Sequence, residues 1–251
     1  MTELATLSFE GPIATLTLRR PAQRNALSID LLRALDARLA EAAARADLRV
    51  LVLAGEGKAF CAGMDLKAVL HDPEAPGRLL HTLADVTLRL RALPLVTLAH
   101  VQGAAIGGGC GLACVCDLLA THADSVVGYP EVDLGVCPAV VAPWLVRKVG
   151  AGRARRILLM GGTMPGTQAH ALGMADLLAP DRDALDALVK DTAARLALGG
   201  PAAVRATKDL LNHLDGSLDA DLVRRGADLS ARVVALPETQ AVLRARFAAS
   251  S

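Results

Sequence analysis

One carboxylate and two glycine-rich segments carry the residue types that could do chemistry in this chain. The first segment reads Gly55-Glu56-Gly57-Lys58-Ala59-Phe60-Cys61-Ala62-Gly63-Met64-Asp65-Leu66. The second reads Gly103-Ala104-Ala105-Ile106-Gly107-Gly108-Gly109-Cys110-Gly111-Leu112. The carboxylate is Glu131, within Tyr129-Pro130-Glu131-Val132. Turns of this composition can aim bare backbone N–H groups at one point, and two convergent donors make an oxyanion hole. A carboxylate beside that point can move protons as the anion forms.

Other chemistries fit less well. A dinucleotide G-x-G-x-x-G turn fails because Leu112 stands where the third glycine belongs, and Gly57-Lys58-Ala59 is no P-loop. No G-x-S-x-G elbow is present. Cys61 is a possible nucleophile, but no histidine accompanies it in the same segment. Histidines 71, 81, 100, 122, 170 and 213 lack metal-ligand spacing, so no metal is expected. The cysteines at 61, 110, 114, 116 and 137 are odd in number and form no paired C-x-x-C array. They read as small buried hydrophobes in a reducing compartment.

The elements that must position these groups follow from pattern. Leu4–Phe9 and Ile13–Leu18 flank Glu10-Gly11-Pro12 as a hairpin. Ser28 can cap a helix to about Arg45, with Leu31, Leu35 and Leu39 on one stripe. Arg49–Ala54 and Leu95–Ala99 are short continuous apolar runs, typical of strands buried on both faces. Each runs into a glycine segment, which therefore opens at the carboxyl end of a strand, where α/β sheets place ligands. Between them, His71–Gly77 reads as a proline-bearing loop before a helix to about Leu93. Helix and then strand carry the chain through Asp117–Thr121. Val140–Val149 and Arg153–Met160 read as helices split by Gly150-Ala151-Gly152, and Met174–Leu178 as a late strand. From Asp183 the pattern is helical, punctuated by Gly199-Gly200-Pro201 and Pro237. The class is α/β with a helical C-terminal part.

The bulk numbers agree. The 251 residues suffice for one large domain or a core with an appendage. A net charge of +1 and 2% aromatics argue against a nucleic-acid footprint or base-stacking platform. The 53% apolar content fits a buried sheet plus a subunit interface. The apolar stretch from Ala92 to Ala120 is broken by Pro94, His100, Gln102, Asp117 and several glycines, so no membrane span is expected. The N-terminus shows no signal-peptide pattern, and a cytoplasmic location is expected.

Taken in order, four stretches resemble the crotonase superfamily, the enoyl-CoA hydratase/isomerase fold, nearly end to end. They are Arg20-Pro21-Ala22-Gln23-Arg24-Asn25-Ala26-Leu27, then Ala59 to Leu66, then Gly107-Gly108-Gly109 leading to Cys116-Asp117, then Pro130-Glu131-Val132-Asp133-Leu134-Gly135. The resemblance implies a spiral of ββα units over 1–195 and a helical trimerisation region over 196–251. It puts the oxyanion donors on the N–H groups of Met64 and Gly108 and the acid/base on Glu131. It puts coenzyme A contacts at Arg24, Ala26, Ala62, Gly63, Asp65, Leu66 and Gly107, with Lys208 a further phosphate candidate. Coenzyme A arrives as part of the substrate, and no other cofactor is implied. Family members form trimers, often paired into hexamers.

The departure is Gly111, where two-glutamate hydratases of the family carry a glutamate. Ala139 likewise stands where dienoyl-CoA isomerases carry an aspartate. The missing second carboxylate leans toward an isomerase, while Glu131 to Val141 resembles hydratases of branched acyl-CoAs; the expected activity is an enoyl-CoA hydratase working through Glu131. The alternatives are a Δ3,Δ2-enoyl-CoA isomerase with Glu131 as sole proton shuttle, or an acyl-CoA-binding protein of lost catalysis. Asp133 is a possible substitute carboxylate, sharing a face with Glu131 if strand alternation holds. Trp144 is a candidate pocket residue.

Overall fold

The structure is a computed structural model, and it describes residues 3–66, 72 and 74–248. Strands β1 (Ala5–Glu10) and β2 (Ile13–Leu18) form the expected antiparallel hairpin. Helix α1 (Ile29–Ala43) starts at Ser28, whose hydroxyl accepts the Leu31 N–H at 3.1 Å. Leu31, Leu35 and Leu39 on its inner stripe are fully buried.

The chain then winds as a spiral, each turn giving one strand to each of two sheets. Strand β3 (Val50–Gly55) joins the first sheet, β4 (Ala59–Cys61) joins the second, and α2 (Ala75–Arg91) closes the turn. The next turn repeats this with β5 (Val96–Val101), β6 (Ala104–Ile106) and α3 (Gly108–Val115). The third gives β7 (Leu118–His122) and β8 (Val126–Gly128) before α4 (Ala142–Val149) and α5 (Ala151–Met160). Strand β9 (Thr163–Pro165), α6 (Gly166–Ala171) and β10 (Leu177–Ala179) complete the sheets. The first sheet runs β1-β2-β3-β5-β7-β10 and the second β4-β6-β8-β9; both are parallel except at one edge pair each. Helices α7 (Arg182–Ala197), α8 (Pro201–Leu214), α9 (Ala220–Val234) and α10 (Pro237–Ala248) follow.

Burial explains the layering. Val50, Val52, Leu98 and Ala120 of the first sheet pack under Leu185, Val189 and Ala193 of α7. The alternate face, with Leu51, Leu53 and Ala99, joins the main core against α1, α2 and α3. Helix α9 lies on α2 within the same chain, burying Val223, Gly226, Ala227 and Ser230.

Three local expectations are corrected. The proline-bearing loop is shorter, because Ala75-Pro76-Gly77 already belongs to α2. Pro76 sits in the first turn, where its missing N–H leaves no intrahelical bond unmade. His71 and Pro73 lie outside the described residues. The break between α4 and α5 is Gly150 alone, at φ 79°, with Ala151 and Gly152 helical. The C-terminal helices have a further break at Gly216, φ 66°. Among the described residues no helix is long and apolar enough to cross a membrane.

Candidate active site

Pairing of β4 with β6 sets the two glycine segments side by side, with Ala59 opposite Ala104 and Cys61 opposite Ala105. The Arg24–Leu27 stretch is laid over the first of them. Asn25, fully buried at φ 56°, donates from Nδ2 to the carbonyls of Glu56 (3.0 Å) and Ala59 (2.9 Å). Its Oδ1 accepts the Arg20 N–H at 2.8 Å. Sequence reasoning gave Asn25 no role; its left-handed backbone and three hydrogen bonds make it the pin of this stretch. Leu27 then pairs with the Met64 region: its N–H donates to the Gly63 carbonyl at 2.8 Å, and its carbonyl accepts the Asp65 N–H at 3.0 Å.

That pattern turns the Met64 amide the other way. Among the described residues the Met64 N–H donates to no acceptor, and neither does the Gly108 N–H. Gly108 opens α3, so its amide lies at the positive end of an eight-residue helix dipole. The two positions touch: a carbon added at Gly108 would stand 3.4 Å from Met64 Cγ. Gly107 just before has φ 54° and ψ −121°, a conformation open to glycine. Its own N–H is taken by the Gly128 carbonyl at 2.8 Å.

Glu131 closes the arrangement. Its carboxylate packs on Gly107 so closely that an added carbon there would lie 2.7 Å from Oε1. Its backbone carbonyl accepts N–H groups from Leu134 (3.0 Å) and Val136 (2.8 Å), which fixes the turn. The residue is 7% exposed, and Oε2 is buried without a hydrogen-bond partner. Burial pushes its pKa up from 4.5 to about 7, as expected when a charge loses water and gains no cation. Met64, Gly108, Glu131, Val141 and the α2 residues Leu80 and Leu83 line one tight cleft. Its free space, about 10 Å³, is room for about one water centre. The loop beyond Glu131 is tied to α9: Ser230 Oγ donates to the Cys137 carbonyl at 2.6 Å and accepts the Ala139 N–H at 3.1 Å. This use of Ser230, from far along the chain, had no signal in the sequence.

The other candidates are placed as follows. Ala26, Ala62 and Asp65 are half-buried and Arg24 is exposed at φ 50°; the Arg24 carbonyl accepts the Ala62 N–H at 3.0 Å, which holds this stretch against the first glycine segment, and none of the four is among the described residues lining the cleft of Glu131. Asp65 pairs with Arg20 Nη2 at 3.2 Å, and Leu66 is buried in the core. Cys61 is not a poised nucleophile: its buried thiol donates to the Asn25 carbonyl at 3.1 Å, and burial pushes its pKa up to about 12. Asp133 does not share the face of Glu131, because residues 132–134 form a 3-10 turn, not a strand. It is exposed and accepts the Gly162 N–H at 2.8 Å. Lys208 turns inward to Asp117 Oδ2 and the Leu95 carbonyl, both at 2.7 Å, and is not available to a phosphate. Trp144 is buried with its ring 4.9 Å from the Arg147 guanidinium, and it does not line the cleft of Glu131.

Comparison with known proteins places the family and the fold. A family model described as enoyl-CoA hydratase/isomerase matches residues 8–230. A Thermus thermophilus protein provisionally named enoyl-CoA hydratase is 37% identical over 211 residues, covering 82% of this chain and 83% of its own. The 2,3-dehydroadipyl-CoA hydratase of Escherichia coli is 32% identical over 214 residues, covering 85% and 83%. The crystal structure of an enoyl-CoA hydratase/isomerase from Xanthobacter autotrophicus Py2 superposes with a TM-score of 0.88 at 28% identity, covering 99% and 97%.

Proposed function

The chain belongs to the enoyl-CoA hydratase/isomerase family, and from that premise we propose that it adds water across the double bond of an unsaturated acyl-CoA thioester. One observation carries the reading. The buried, unpartnered carboxylate oxygen of Glu131 opens on a water-sized space beside two free amides. The thioester oxygen sits against the N–H groups of Met64 and Gly108. Water gives a proton to Glu131 as its oxygen bonds the β-carbon, and the double-bond electrons move onto the thioester as an enolate. The amides hold that charge. Glu131 then returns the proton to the α-carbon, so one hydrogen and one hydroxyl have been added and the enzyme is restored. Removing one such donor amide costs on the order of 100- to 1000-fold in rate. Coenzyme A itself lies along Arg24, Ala26, Ala62 and Asp65, with the buried Gly63 and Leu66 behind them and Gly107 adjacent.

A second reading is double-bond isomerisation, with Glu131 taking a proton from the α-carbon of a 3-enoyl thioester to give a dienolate held by the two amides, and returning it to the γ-carbon. The side chain of Val141 favours it, since it fills the space beside Gly111 and leaves Glu131 as the only carboxylate among the described lining residues. Incubation with 2-enoyl- and 3-enoyl-CoA in heavy water separates the two. Deuterium at the α-carbon with a new hydroxyl marks hydration, and a shifted double bond without added water marks isomerisation. Unchanged turnover in Glu131→Gln would end both.

The working unit of this reading is a homotrimer or a dimer of trimers. Leu159, Met160, Leu210, Leu211 and Leu214 are apolar and well exposed on the helices that would pack between subunits. A stable monomer in sedimentation at micromolar concentration would count against it.

A further inference from the structure

Gly111 lies in the first turns of α3, and Val141 caps the start of α4. A carbon added at Gly111 would stand 2.6 Å from Val141 Cβ and nearer still to Val141 Cγ1. Carbon atoms in contact keep about 3.5–4.0 Å, so the absence of a side chain at 111 is what admits Val141. Val141 is 3% exposed and lines the same cleft as Glu131, Gly108 and Met64. It has little freedom to leave. Its N–H donates to the Pro138 carbonyl at 3.2 Å, and its carbonyl accepts the Leu145 N–H at 3.2 Å. The loop before it is held by Ser230. Branching at Cβ also restricts its rotamers.

We infer that Val141 is a specificity-determining residue: seated in the hollow left by Gly111, it closes the wall beside Glu131 and sets the width of acyl group admitted there. The inference rests on the acyl-CoA reading of the cleft. It predicts that residues 111 and 141 act as a pair, because volume at one position is traded against volume at the other.

The test uses the full chain and two thioesters, a straight four-carbon 2-enoyl-CoA and its 3-methyl counterpart. Val141→Ala shifts the ratio of kcat/KM toward the branched substrate by about tenfold, the low end of what one methylene of space is worth. Gly111→Ala pushes Val141 into the cleft and shifts the ratio the other way. Gly111→Ala combined with Val141→Gly brings it back toward the parent value, which a merely destabilised enzyme would not do. Calorimetric binding of the corresponding saturated thioesters gives the same ratio without turnover. A ratio unchanged within twofold in Val141→Ala, by both measures, overturns the inference. If Glu131→Gln keeps full turnover while the ratio moves as stated, the assignment of Glu131 fails and the wall survives.

Discussion

The two ends of α3 present carboxylates in opposite circumstances. At the amino end Glu131 is buried with one oxygen unpartnered, and its pKa is raised to about 7. Just past the carboxyl end, Asp117 receives Lys208 Nζ at 2.7 Å, the Thr97 N–H at 2.8 Å and hydroxyl at 3.0 Å, and Arg91 Nη1 at 3.3 Å. Both are the same functional group in a largely water-excluded place. Surrounded by donors, a carboxylate becomes a joint; here Asp117 ties α2, β5 and α8 together. Left without them, it becomes a reagent whose proton is held loosely enough to move at neutral pH.

The sharpest way to break this comparison is to neutralise each end. Glu131→Gln should lower kcat by about 10²- to 10⁴-fold, the usual worth of a general acid–base group, while acyl-CoA binding by calorimetry persists. Lys208→Ala leaves the Asp117 charge without its nearest cation. Breaking a buried pair this way costs about 3–5 kcal/mol, read as a lowered midpoint in urea. Turnover per folded molecule should hold, because no atom of the cleft is touched.

The pH dependence sharpens the same contrast. The folded chain binds the Glu131 proton more tightly than the unfolded chain does. The contribution of Glu131 to stability is therefore full below pH 4.5, falls as pH rises toward about 7, and is gone above it, by roughly 3 kcal/mol in total. In Glu131→Gln this component should vanish from urea melts taken across that range. Activity runs the opposite way for a reaction that starts from ionised Glu131: kcat/KM rises with a midpoint near 7. The smallest effect is expected at a site remote from both ends. Ser28→Ala removes the cap of α1 and should cost about 1 kcal/mol with no change in kcat.

How much of this was legible beforehand depended on length. The first sheet showed itself because Val50–Gly55 and Val96–Val101 are six-residue strands with apolar character along their run. Strands β4, β6, β8 and β9 did not, since three residues carry no period, and two of them lie inside segments that read as turns. The site was legible as two donor turns and an acid. What stayed hidden was pairing across distance. Nothing in the neighbourhood of Lys208 points to Asp117, 91 residues away, and nothing at Gly111 points to Val141. A lysine near a helix reads equally as a phosphate ligand or a strut until its partner is placed.

The buried indole offers an experimental convenience. Trp144 is the only tryptophan of the chain, one turn along the helix that Val141 caps, and it lies against the guanidinium of Arg147. Emission excited at the red edge, where Tyr129 does not absorb, thus comes from one address, a few residues from the wall of the cleft. A thioester that shifts the head of α4 as it settles should change the colour or yield of that single lamp, giving a label-free titration of occupancy.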